Sequence, residues 1–109
     1  MAYKIDQSND SIQDFFNILD YLAYTLFSPS AAGHFSDEIE ACYGRLTEYP
    51  LIYPVCQDKR LAAKGFRLAP VMRYIAFYTV DEERQIVRIH RILHGSMDYT
   101  RQGMKTTLY

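Results

Sequence analysis

The sequence predicts an α+β domain in which a two-helix hairpin packs on one face of a mostly antiparallel sheet, in the order β-α-α-β-β-β. Three observations predict it. Residues 12–26 and 35–46 carry apolar side chains at steps of three and four, the period of a helix with one buried stripe. Residues 66–94 hold β-branched and aromatic runs around a polar turn. The chain has 109 residues, 49% of them hydrophobic, which suits one core and leaves little room for a second. We expect a single domain over residues 1–103 and a polar tail at 104–109.

Each element has a local reason. Tyr3, Lys4 and Ile5 read as a short edge strand. Ser8, Asn9, Asp10 and Ser11 supply N-cap candidates, and Asp14 stands three residues after Ser11 in a weak relative of the capping box. Ile12, Phe15, Phe16, Leu19, Leu22, Ala23 and Leu26 form the stripe of the first helix, with Asp10, Asp14 and Asp20 off it. Pro29 ends that helix. Ser30 is then the expected N-cap of a second helix running to about Glu48. Its buried stripe is Phe35, Ile39, Cys42, Tyr43 and Leu46, and Asp37, Glu38 and Glu40 face outward near its positive end. The loop 49–54 has prolines at 50 and 54 among apolar residues and is expected to pack over a core edge. A three-stranded meander follows at 66–71, 74–80 and 86–94, with its last turn at 81–85. By period two, Tyr74, Ala76, Tyr78 and Val80 take one face of the middle strand and Ile75, Phe77 and Thr79 the other. With the helices on one side, the second sheet face is left partly open, a seat for an anion.

Charge is unevenly divided. Residues 1–58 contain two basic side chains against nine acidic ones, and residues 59–109 contain ten basic against four acidic. The division suggests a negatively charged partner for the second half, or neutralisation of one half by the other across the fold. No apolar run reaches the roughly 18 residues of a membrane span, and no leader pattern opens the chain. We therefore expect an intracellular, cytoplasmic protein, in which Cys42 and Cys56 are free thiols rather than a disulfide.

The candidate chemistry lies between Lys64 and Asp98. No phosphate-cradling glycine loop is present, and no cofactor is expected. His90 and His94 on one strand face would stand about 13 Å apart, too far to share an ion, so no metal is expected. Ser96 and Asp98 beside His94 lack a nucleophile elbow. Metal-free RNA cleavage fits the inventory better. It needs cations at the phosphate and proton carriers for the 2′-hydroxyl and the leaving oxygen. Lys64, Arg67, Arg73 and Arg91 are candidate cations, His90 or His94 the base or acid, and Tyr99 a second donor. The alternative for each arginine is a solvated rim position, and for each histidine a hydrogen-bonded structural role. Tyr74 and Tyr78 are candidates for stacking on bases or for core packing.

Several stretches resemble the RelE/ParE toxin superfamily. They are S-x-x-x-x-x-D-F-x-x-I-x-D-Y-x-A-Y at 8–24, the S-P-S-A-A joint at 28–32, L-x-E-Y-P-x-x-Y-P at 46–54 and K-G-F-R at 64–67. Two more are Y-I-A-F-Y-x-V-D-E at 74–82 and I-x-R-I-L-H-G-x-x-D at 89–98. The resemblance implies the toxin of a type II toxin–antitoxin pair of the plasmid-stabilisation type, held inactive by a cognate antitoxin. It also implies one of two targets. RelE-like members are ribosome-dependent mRNA endoribonucleases. By that likeness Arg67, Arg91, His94 and Tyr99 are the expected catalytic residues, and Lys64, Arg73, Arg88 and His90 the nucleic-acid contacts, although Ala69 and Ile75 stand where the nuclease pattern is basic. ParE-like members share the R-x-L-H-G-x-x-D ending at 91–98 and inhibit DNA gyrase without a nuclease site. The expected partners are accordingly an antitoxin, then ribosome and mRNA or gyrase, with no membrane, and the assembly a homodimer or a toxin–antitoxin hetero-oligomer. A non-toxic interaction module is the third reading.

Overall fold

The computed structural model describes residues 2–96. The chain forms β1 (Lys4–Gln7), α1 (Asn9–Asp20), a π-helical turn (Tyr21–Thr25), α2 (Pro29–Glu48), α3 (Lys59–Ala63), β2 (Arg67–Val71), β3 (Tyr74–Asp81) and β4 (Ile86–His94). The sheet order is β1-β4-β3-β2. β2, β3 and β4 form the antiparallel meander, while β1 lies parallel to β4. The two long helices pack on one face, which is the expected architecture.

Capping explains where the helices begin. Ser8 caps α1, its Oγ accepting from the Ser11 amide at 3.0 Å, while the Ser11 hydroxyl donates back to the Ser8 carbonyl. Ser28, not Ser30, caps α2, its Oγ accepting from Ala31. Pro29 then occupies the first helical position, where a missing N–H costs nothing and the fixed φ suits the helix. The proline thus starts the second helix. The first has already loosened into the π turn, and Phe27 carries the chain across the joint at φ 52.

The α2 stripe is as expected: Phe35, Ile39, Cys42 and Leu46 are buried, with Tyr43 half-buried. They meet Tyr74, Ala76, Tyr78, Val87, Ile89 and Ile92 of the sheet. Each fully buried large side chain contributes about 1.5–3 kcal/mol. Tyr78 brings its hydroxyl into that core and donates it to the Pro50 carbonyl at 2.8 Å, fixing the loop after α2 over the core edge. The α1 stripe departs from expectation. Ile12, Phe16 and Leu26 are exposed. Conversely, Asp14 is turned inward onto β4.

The second face of the sheet is not left bare. α3 and the segment beside it cover part of it with a smaller cluster of Cys56, Leu61, Phe66, Phe77 and Leu93. Asp58 caps α3, accepting from the Arg60 and Leu61 amides. The helix stops where Gly65 adopts φ 83, with Gly65 N–H on Ala62 O and Phe66 N–H on Leu61 O. This pairing of the last carbonyls needs a residue tolerant of positive φ, and it sets Phe66 against Leu61. The Lys64-Gly65-Phe66-Arg67 run is therefore a helix stop followed at once by a strand. Both thiols are free and buried; burial pushes Cys56 up to about 11, so neither ionises readily near neutrality.

One irregularity decides where the candidate residues point. The β3–β4 register pairs Phe77 with Arg91 but Tyr78 with Ile89, leaving His90 as an extra residue. Such a bulge resets the side-chain alternation. It lets Val87, Ile89 and Ile92 all face the helices although the spacing changes from two to three. The His90 carbonyl, which receives the Ser8 hydroxyl at 2.8 Å, ties the bulge to the α1 cap. Strict alternation of strand faces does not hold across this point.

Candidate functional site

The cationic and proton-carrying residues singled out between Lys64 and Asp98 do not gather at one place. The structure distributes them over four.

Arg91 faces α1. Its Nε and Nη2 donate to the two carboxylate oxygens of Asp14 at 2.7 and 3.0 Å, and the Ile92 amide donates to the same carboxylate at 2.9 Å. The side chains are only 20% and 13% exposed. This bidentate pair, with all its geometry satisfied, anchors the first helix to the sheet. Arg88 points along the edge of the sheet to an ion pair with Asp6 on β1, both half-exposed. Two basic residues of the second half are thus neutralised by acids of the first.

Lys64, Arg67 and His90 share a cleft of about 750 Å³ with Thr79 and the Asp81, Glu82 and Glu83 of the β3–β4 hairpin. Arg67 Nη1 donates to the Tyr53 carbonyl at 2.6 Å and lies 3.5 Å from that of Leu51, so its guanidinium holds the loop after α2. His90 Nε2 and Thr79 Oγ1 lie 2.9 Å apart, and the ring stands edge-on to Phe66 at 4.7 Å. Burial, reinforced by the nearby Arg88, lowers its pKa from the ordinary 6.5 to about 4. His90 is therefore neutral at physiological pH, with one nitrogen engaged by a hydroxyl. A cleft with cations on one wall and three carboxylates on the other is a poor trap for a polyanion.

Arg73 and His94 belong to a second hollow, a groove of about 610 Å³ between the end of α1, the π turn and the adjoining ends of β3 and β4. Its floor is apolar. Ile18, Leu22, Tyr74 and Leu93 line it, with Met72 on the turn between β2 and β3. His94 packs edge-on against Tyr74 at 5.4 Å. The Ser96 amide donates to its Nδ1 at 3.1 Å, and the Ser96 hydroxyl is 2.7 Å from the same nitrogen. A backbone N–H can only donate, so Nδ1 is the acceptor here. Gly95 allows the close approach there: its amide reaches the Arg73 carbonyl at 2.8 Å, and a Cβ would sit 3.2 Å from that oxygen. Tyr99 lies outside the described residues.

Proton transfer at a phosphodiester needs an acid, a base and a cation within reach of one substrate. Here His90 and His94 line different hollows, and Arg91 faces neither. Asp14 and Thr79 were not singled out from sequence. The off-stripe position of Asp14 was readable as solvent exposure, and only the fold brings Arg91 beneath it. Among the described residues no group of three or more His, Cys, Asp or Glu is placed to hold a metal ion, and no helix is long and apolar enough to cross a membrane.

Comparison with known proteins places this arrangement in context. No curated protein matches the sequence. Among solved structures, the toxin–antitoxin complex RelBE from Mycobacterium tuberculosis has a chain that aligns with TM-score 0.62 at 19% identity, covering 86% of this chain and 99% of that one. The chromosomal ParDE toxin–antitoxin system of P. aeruginosa aligns with TM-score 0.67 at 16% identity, covering 85% and 96%. A doubly arginine-substituted mutant of the E. coli toxin RelE in the free state aligns with TM-score 0.64 at 14% identity, covering 96% and 98%. At such identities the likeness is one of fold. Sequence decides the family: residues 5–99 match the ParE toxin of the type II toxin–antitoxin system parDE, and the chain belongs to that family.

Proposed function

We propose that this toxin arrests growth by binding DNA gyrase and that it acts without cutting RNA. The observation that carries the reading is the dispersal of the cleavage inventory: Arg91 is engaged by Asp14, Arg88 by Asp6, and His90 and His94 line separate hollows. An inhibitor that works by occupying a surface of its target needs no acid–base pair. The match to the ParE family supports the same choice within the superfamily. A cognate antitoxin is the natural second partner, since the RelBE and ParDE relatives are toxin–antitoxin systems. A cytoplasmic location goes with this reading, since it is where both proposed partners would be met.

One observation favours a second reading. Lys64, Arg67 and His90 do share a cleft, and a ribosome-dependent nuclease would use that cleft, with Tyr99 as a further donor. Induced expression in cells lacking an antitoxin separates the two. Gyrase poisoning predicts relaxed or broken plasmid DNA with intact transcripts at the onset of arrest. Transcripts cut within codons, on plasmid of normal superhelicity, would transfer the function to the cleft.

A further inference from the structure

An inhibitor that acts by occupying its target needs a face to do so with, and the loop between α2 and α3 offers one. Among the described residues the large exposed apolar side chains fall into two groups. One is spread over the helical hairpin, with Met72 near its end. The other is confined to residues 49–55, where Tyr49 is 61%, Leu51 48%, Ile52 55% and Val55 45% exposed.

The backbone of this loop is fixed by the sheet. The Tyr78 hydroxyl donates to the Pro50 carbonyl at 2.8 Å, Arg67 Nη1 to that of Tyr53 at 2.6 Å and the Leu68 amide to that of Pro54 at 3.1 Å. Val55 is bridged to Arg67, and the Cys56 amide reaches the Phe66 carbonyl at 2.9 Å. Arg45 Nε also donates to the Tyr53 hydroxyl at 3.1 Å. Pro50 and Pro54 bring no N–H that needs a partner, and their rings restrict φ. The loop thus spends its polar groups on the scaffold and holds apolar side chains toward solvent in one conformation. A surface ordered in advance loses little freedom when it is covered, which is what a docking face requires.

Charge says what kind of surface covers it. Leu51 and Val55 line the same cleft as Asp81, Glu82 and Glu83 of the β3–β4 hairpin, with Lys64 and Arg67 opposite. Arg67 is committed to the loop carbonyl, and Asp81 accepts from the Arg84 amide at 3.0 Å. Glu82 and Glu83 are exposed and bond no other described residue. An apolar strip beside two uncompensated carboxylates repels a polyanion and suits a protein surface that carries lysine or arginine. Gyrase holds DNA, so it must present positive charge to phosphates.

We infer that the loop 49–55 and the hairpin acids form the face that meets gyrase. Leu51, Ile52 and Val55 seat on an apolar strip of the enzyme, and Glu82 and Glu83 pair with basic side chains beside it. The inference rests on the gyrase reading and adds to it the surface and its chemistry.

The test measures affinity for purified gyrase by calorimetry, and inhibition of supercoiling, with the full-length chain and two double variants. Leu51→Ser with Ile52→Ser should weaken both about tenfold or more, the loss usual when central anchors of an interface are truncated. Both side chains are about half exposed, so thermal melting should be unchanged. Glu82→Lys with Glu83→Lys lies outside the loop. It should weaken binding to a similar degree and turn the decline of affinity with salt into a rise. Should the loop pair melt early, the hairpin pair decides alone. Full affinity in either folded pair would overturn this inference and leave the gyrase reading standing. An unsubstituted chain that neither binds gyrase nor stops supercoiling would overturn both. A chain that dimerises in sedimentation and becomes monomeric in the loop pair, with supercoiling still blocked, would assign the face to a second copy instead.

Discussion

The cleft at Arg67 and the groove at Arg73 lie on the same short meander, yet their cations do opposite things. In the cleft, Arg67 holds two carbonyls of the loop after α2, His90 is a neutral ring against Thr79, and carboxylates of the hairpin face them. Removing such groups should cost stability. In the groove, the Arg73 side chain bonds no described residue and the floor is apolar, so removing it should cost little stability. A basic residue on a strand is therefore not evidence of an anion site until its partners are known. Arg67 and Arg73 stand six positions apart, and only tertiary contacts tell them apart.

The largest effect is expected at the Asp14–Arg91 anchor. Asp14→Ala leaves a mostly buried guanidinium unpaired and should lower the unfolding free energy by about 3 kcal/mol in urea titration. Replacing both partners by apolar residues of similar size should recover much of that loss. Growth rescue by Arg91→Ala therefore speaks to catalysis only if the variant is shown to be folded. Next is Arg67→Met, which keeps the stem but strips the Tyr53 carbonyl of a charged donor. It should cost about 1.5 kcal/mol by the same titration. If it costs nothing, Arg67 is free for a substrate and the nuclease reading gains.

The third effect is one of pH. The folded-state pKa of His90 is depressed to about 4 against an ordinary 6.5. As pH falls below about 6.5 the unfolded chain takes up the proton first, so stability declines between there and about 4 and levels off below. After allowance for solvent screening the loss should be on the order of 1 kcal/mol. His90→Gln should flatten that part of the stability–pH curve. The smallest effect is Arg73→Met, expected to change stability by less than about 0.5 kcal/mol, since an exposed side chain without partners among the described residues contributes little. A larger change would mean that the groove's rim is part of the scaffold.

Much of the fold was legible because it rests on local periodicity. The step of three and four through Phe35, Ile39, Cys42 and Leu46 and the alternation through Tyr74, Ala76 and Tyr78 each specify a buried face whatever the partner. The site was far less legible, for reasons that are also physical. A single extra residue at His90 resets which side chains face which way, and no local signal announces a bulge. Asp14 looked solvated because it falls off the α1 stripe, whereas it lies over Arg91, 77 positions away in sequence. Ser28 and Ser30 are equally good caps by composition, and the choice turns on Pro29 fitting the first helical turn. The groove arises where three elements end, so no stretch of sequence contains it.

The activity proposed for this toxin is binding of gyrase without cleavage of RNA. The most direct measurement titrates the purified full-length chain into two parallel reactions, gyrase supercoiling of relaxed plasmid and mRNA integrity on translating ribosomes. Gyrase binding predicts stoichiometric loss of supercoiling with the message intact. Cleavage of the message with supercoiling unaffected would contradict it.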